Sequence, residues 1–258
     1  MELFVQYEIT DRVAYITMNR PEKRNALSAE MVTQLKVAVQ KAEKDDSCKV
    51  VVLAATGEAF CAGADLGYLK QLQENSYEEN LHDSRHLMEL YKMIYLSSKV
   101  YISRIQGPAI AGGCGLASIC DFSYAVPEAK FGYTEVRIGF IPAIVKVFLI
   151  RKIGEGKARE ILLTGDVFSA EKAEKMGLIN QVIPAENLND FVHQFASKLC
   201  NVASGDSLAL TKRMIAEVQN RTLDDALDYA AAENAEARAG ADCKRGISAF
   251  LNKEKITW

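Results

Sequence analysis

Residues 106–121 read "QGPAIAGGCGLASICD". Four glycines fall within nine positions, Gly107 to Gly115, and small apolar residues follow at once. Glycines gather where a backbone must approach something closely or adopt a positive φ. The stretch follows "KVYISRI" (99–105), whose apolar run reads as a strand, and it leads into a helix. A second place shares that order: "VVVLAATGEAFCAGADL" (50–66) also ends an apolar strand, passes through small residues and opens a helix. The first N–H groups of a helix lack intrahelical partners and point outward. The helix dipole adds positive potential there. If two such turns converge, one N–H from each can hold a single oxygen that becomes negative during a reaction. The run "GGCG" fits neither G-x-G-x-x-G nor G-x-x-x-x-G-K-[ST], which disfavours a dinucleotide fold and a P-loop.

Around these turns the chain alternates. Residues 3–9 and 12–18 read as two strands, and Ser28 caps a helix running to about Lys44. The run 49–56 is continuously apolar, as suits a strand buried on both faces. A loop fills 57–69, a long polar helical stretch 70–96, a strand 121–126, and a short strand with a loop 129–142. Beyond Ala143 the helical period dominates, over 143–152, 156–164, 169–176, 186–200, 205–220, 222–239 and 242–252. One late strand spans 178–184. Early alternation followed by late helices predicts an α/β core over residues 1–184 and a helical region over 185–258.

Composition narrows the function. The chain has 258 residues, 49% apolar and 25% charged, with net charge −3. It can bury a full core, and its charge gives nucleic acid binding no general support. The longest apolar run, "FIPAIVKVFLI" (140–150), is too short to span a bilayer and carries Lys146. No signal or transit segment is expected. The six cysteines form no C-x-x-C pair, so reduced, largely buried thiols and a cytoplasmic setting are expected. Cys114, inside the glycine turn, is expected to pack. His82 and His86 share a helix face but lack the further ligands zinc needs, so no metal site is expected. No G-x-S-x-G elbow is present.

Five ordered stretches carry a likeness: "MNRPEKRNALS" (18–28), "FCAGADL" (60–66), the glycine run, "FGYTEVRIGFIP" (131–142) and "LTGDVFSAEKAEKMGLINQVIP" (163–184). Together they resemble the enoyl-CoA hydratase/isomerase (crotonase) superfamily. The resemblance implies a spiral of β-β-α units, a C-terminal helical trimerisation region, and a homotrimer or a pair of trimers. It implies an acyl-CoA thioester substrate, with coenzyme A arriving as part of that substrate and no tightly bound cofactor. On this match the backbone N–H groups of Ala64 and Gly112 polarise the thioester carbonyl. Ala62, Asp65, Leu66 and Gly67 line the acyl-CoA side of the same loop. Lys23 and Arg24 fall near the CoA phosphates, and Phe250 and Lys253 of a neighbouring subunit near the nucleotide.

Hydratases of this family use two glutamates. The second is present as Glu135; the first position is Gly115. Hydration asks for a group that orients water and one that moves a proton, whereas a double-bond shift needs one carboxylate. The stretch 135–154 looks most like the methylglutaconyl-CoA hydratase branch, whose substrates carry a second carboxylate that Arg137 or Lys146 could pair with. Hydration of a branched or carboxylated 2-enoyl-CoA is the expected reaction. The alternatives are a single-glutamate isomerase and a non-catalytic acyl-CoA binding protein.

Overall fold

The computed structural model describes residues 2–258. Its main sheet has six strands in the order β1-β2-β3-β4-β6-β9: β1 Val5–Thr10, β2 Val13–Met18, β3 Val50–Ala55, β4 Val100–Ile105, β6 Phe122–Ala125 and β9 Gln181–Val182. The β1–β2 hairpin is antiparallel and every later pairing is parallel. All six residues of β3 are buried, as its unbroken apolar run predicts for a central parallel strand. A second, three-stranded sheet, β5-β7-β8, joins Ala109–Ile110, Lys130–Gly132 and Val167–Ser169. The mixed α/β architecture expected from the alternation is present.

Helix α1 (Ala29–Lys44) starts where Ser28 caps it, accepting from the Met31 N–H at 3.2 Å, and it buries Met31, Val32, Leu35, Ala38, Val39 and Ala42. Those positions form one stripe of period 3.6 against the sheet. Helix α4 (Gly112–Ile119) follows β5 directly. It is buried over residues 113–119.

Several boundaries differ from the sequence expectation. The polar stretch read as a loop and one helix is two helices, α2 (Leu66–Leu72) and α3 (Tyr77–Leu96). The break is made by Ser76, whose side chain and that of Glu79 form a reciprocal capping box. The glycine run holds a two-residue strand, β5, before its helix. Residues Glu135–Ile138 form a 3-10 turn rather than an open loop. Strand β8 stands just ahead of α7 (Ala170–Met176), with Ser169 serving as both last strand residue and helix cap. Strands of two or three residues carry no readable alternation, so pattern alone misses them.

Helix α5 (Val145–Ile153) packs on α4 and on the helix that follows it, α6 (Glu155–Thr164). The late helices are α8 (Ala185–Val202), α9 (Gly205–Val218), α10 (Leu223–Ala239) and α11 (Ala241–Leu251). Helix α10 buries no residue within one chain. Among the described residues no helix is long and apolar enough to cross a membrane.

Candidate active site

Two glycines of 106–121, Gly107 and Gly113, serve the contact between two backbones. The chain after β3 and the chain after β4 run side by side. The Cys61 N–H donates to the Pro108 carbonyl at 3.1 Å, and the Ile110 N–H to the Cys61 carbonyl at 2.9 Å. A Cβ on Gly107 would stand 1.9 Å from the Glu58 carbonyl oxygen; one on Gly113 would stand 2.3 Å from that of Cys61. Neither residue can carry a side chain without parting the loops. Gly113→Ala is expected to destabilise the fold by about 1–3 kcal/mol, as overpacking of a close contact does; thermal unfolding measures it.

A third segment clamps this pair from outside. The Leu27 N–H donates to the Gly63 carbonyl at 2.7 Å, and the Asp65 N–H to the Leu27 carbonyl at 2.9 Å. Asn25 is fully buried. Its amide donates to the Thr56 and Ala59 carbonyls at 2.8 and 2.9 Å, and its Oδ1 accepts from the Arg20 N–H at 2.8 Å. Arg24 and Asn25 both adopt positive φ, 51° and 53°, a conformation asparagine tolerates better than most residues. Asn25 was passed over in the sequence reading, although an asparagine after "NRPEKR" is a recognisable turn signal.

Among the N–H groups these contacts leave without a partner are those of Ala64 and Gly112. Leu27 bonds to the residues on either side of Ala64, so the Ala64 N–H faces the other way. The Gly112 N–H opens α4 and has no intrahelical acceptor. Neither donates to an acceptor among the described residues. Ala64 is exposed and Gly112 half-buried, so both stand on the accessible side of the loops. Ala111, between β5 and α4, holds φ 51° and ψ −123°. An L-residue is strained there by about 1–3 kcal/mol, a cost usually met at functional turns.

The candidate acid–base group is Glu135. One of its carboxylate oxygens, Oε2, is buried with no hydrogen-bond partner among the described residues. Burial pushes its pKa above the ordinary glutamate value, because a low-dielectric setting disfavours the charged form. The space beside Gly115 is filled by other side chains. A Cβ built there would lie 2.4 Å from Val145 Cγ1 and 3.1 Å from the Tyr91 hydroxyl. Burial also pushes the Cys61 and Cys114 thiols up to about 12. Both are therefore neutral packing groups at ordinary pH, as expected of Cys114.

The remaining expected residues fall in several places. Ala62 is half-buried and donates its N–H to the Arg24 carbonyl at 3.0 Å. The Asp65 carboxylate caps α2: Oδ1 accepts from the Gly67 and Tyr68 N–H groups at 2.8 and 3.3 Å, and Oδ2 pairs with Arg20 at 3.0 Å. Asp65 thus shapes the loop through its side chain and has no oxygen free of a protein partner. Leu66 opens α2, and its side chain lies outside the described residues. Lys23 and Arg24 are exposed. Arg137 is paired with Asp166, both on the surface; Lys146 is exposed. Phe250, on α11, is 82% exposed, and Lys253 lies just beyond that helix. Among the described residues no cluster of three or more His, Cys, Asp or Glu is placed to hold a metal.

Known proteins share this fold. Residues 8–258 match the family model for enoyl-CoA hydratase/isomerase. A Thermus thermophilus protein provisionally named an enoyl-CoA hydratase is 40% identical, the match covering 93% of this chain and 95% of that protein. The crotonyl-CoA hydratase of Syntrophomonas wolfei is 31% identical, over 97% and 96%. Among solved structures, the enoyl-CoA hydratase of Mycobacterium smegmatis superposes with a TM-score of 0.93 at 31% identity, over 100% of this chain and 99% of that one. The chain belongs to the enoyl-CoA hydratase/isomerase family, with the crotonase fold and a C-terminal helical region. It is an acyl-CoA enzyme of that family.

Proposed function

We propose that this enzyme hydrates a 2-enoyl-CoA with Glu135 as its one catalytic carboxylate. The observation that carries the reading is the buried Oε2 of Glu135, a proton carrier with no hydrogen-bond partner among the described residues. The thioester oxygen sits between the Ala64 and Gly112 N–H groups, which strengthen their hold as it becomes an enolate oxygen. Glu135 takes a proton from water as the water oxygen bonds to the β-carbon. It then returns that proton to the α-carbon as the enolate collapses. The named activities of the relatives support hydration.

The acyl group of this reading is branched or carboxylated, as in methylglutaconyl-CoA. Because Arg137 is held by Asp166, Lys146 is left as the counter-charge for an acyl carboxylate. Arg24, with Lys23, faces the CoA phosphates. Residues 1–184 form the catalytic unit and 185–258 the association region of a cytoplasmic trimer or pair of trimers, in which Phe250 and Lys253 reach a neighbour's nucleotide. Helix α10 supports this, since it buries nothing within one chain yet exposes Leu223 and Leu227.

One observation favours a second reading, double-bond isomerisation. Val145 fills the space a second carboxylate needs, and a 3-enoyl to 2-enoyl shift asks for one proton carrier only. Turnover of a 2-enoyl-CoA and of a 3-enoyl-CoA in ¹⁸O-labelled water separates the two. Hydration predicts one solvent oxygen in the product of the 2-enoyl substrate. Unlabelled 2-enoyl product from the 3-enoyl substrate alone makes the enzyme an isomerase. CoA-ester binding without turnover of either overturns both readings.

A further inference from the structure

Gly112 and Gly115 stand three residues apart, on one face of α4, and that face is covered by a phenol. The Tyr91 hydroxyl lies 3.4 Å from where a Cβ on Gly112 would stand and 3.1 Å from where one on Gly115 would. Tyr91 comes from α3 and is fully buried. Its hydroxyl donates to the Gly112 carbonyl at 2.6 Å. Its ring packs on Phe148 of α5 with centroids 6.2 Å apart, and Phe148 packs in turn on Tyr95. Burial holds the phenol pKa well above its usual value, so it remains a donor while Glu135 titrates.

The bond matters because of where it falls. The Ala111–Gly112 peptide supplies the free N–H, and the peptides on both sides of it are anchored. On one side the Ala111 N–H donates to the Gly132 carbonyl at 2.7 Å. On the other, Tyr91 holds the Gly112 carbonyl. The peptide between them is held through its own carbonyl, since the Ala111 C=O accepts from the Gly115 N–H at 3.0 Å. Among the described residues the phenol is the one side-chain anchor on this turn, where a strained Ala111 is followed by two flexible glycines.

We propose that Tyr91 is a positioning residue for the oxyanion site: by tethering the Gly112 carbonyl, its hydroxyl steadies the first turn of α4 and with it the Gly112 N–H. The proposal rests on the reading of Ala64 and Gly112 as the donors to the thioester oxygen. It also gives the glycine at position 115 a task, because a side chain there would collide with Val145 and crowd the phenol.

The test is Tyr91→Phe, which keeps the ring and removes one oxygen. Four quantities are read: kcat, KM, the thermal midpoint, and the infrared stretch of the thioester carbonyl in bound butyryl-CoA. The wild-type enzyme is expected to lower that stretch from its solution value, and Glu135→Gln to keep the lowering. Tyr91→Phe is expected to lose part of it. Its kcat falls about tenfold, the scale of one hydrogen bond, while KM stays within about twofold. Phe148→Leu, which loosens the packing but keeps the hydroxyl, is expected to lower the thermal midpoint and leave the stretch in place. An unchanged stretch and kcat in Tyr91→Phe overturns the proposal, as does an equal change in Phe148→Leu. A wild-type stretch at its solution value overturns the oxyanion reading itself.

Discussion

Glu135→Gln is expected to lower kcat by about 10²–10⁴-fold, the range for loss of a positioned proton carrier. Binding of a saturated acyl-CoA is expected to be unchanged, because the thioester and nucleotide contacts are proposed to lie on other residues. The amide matches the carboxylate in shape and leaves the 3-10 turn at Glu135–Ile138 intact. Turnover of both enoyl-CoA isomers at the wild-type rate sinks the assignment.

Stability and rate then depend on pH in a linked way. Burial raises the Glu135 pKa above the ordinary value of 4.5, so the native chain holds this proton more tightly than the unfolded chain does. The stability gained from that proton is complete below the unfolded pKa and is lost as pH rises through the folded one. Glutamine carries no such cost. Glu135→Gln is therefore at least as stable as wild type at pH 8, and its advantage shrinks toward pH 4. In the wild type, kcat/KM falls on the acid side at a pKa above 4.5 as the base becomes protonated. That limb is expected to vanish with the variant's residual activity.

The parts of this site written in consecutive residues were open to reading. The apolar run of β3 and the glycine run both announce strand ends, and the two small-residue turns that share a pattern lie side by side. Glu135 and the gap at Gly115 followed from the order of the motifs. What escaped the reading is held by distant partners. Tyr91 belongs to a helix whose pattern shows only that one face is buried; that the face meets α4 is a fact of the tertiary fold. The partner of Arg137 is Asp166, 29 residues away, and no local pattern joins them. Val145, which closes the space over Gly115, reads in sequence as one apolar residue in a run of them. The polar Asn25 is fully buried because three backbone groups around it need partners, a demand visible only once the loops are assembled.

Restoring the absent glutamate separates the two accounts of position 115. Gly115→Glu alone is expected to fold poorly. Its Cβ would sit 2.4 Å from Val145 Cγ1, and overpacking of this kind costs about 1–3 kcal/mol. The backbone is not the obstacle, since Gly115 lies inside α4 and is not among the positive-φ glycines. Adding Val145→Ala removes the blocking methyl. The double variant is expected to recover cooperative unfolding and, relative to Val145→Ala alone, to hydrate a short straight-chain 2-enoyl-CoA about 10²-fold faster. The new carboxylate would also lie near the Tyr91 hydroxyl and compete with the Gly112 carbonyl for its proton. The gain is therefore expected to be smaller than a free second carboxylate gives, and larger when the same pair of changes is made in Tyr91→Phe, if water orientation rather than the oxyanion limits the rate. A folded double variant with unchanged hydration means that Glu135 already orients the water unaided. In that case glycine at 115 and valine at 145 are a matched pair that makes room for Tyr91, and the enzyme has exchanged a second carboxylate for a better-held oxyanion.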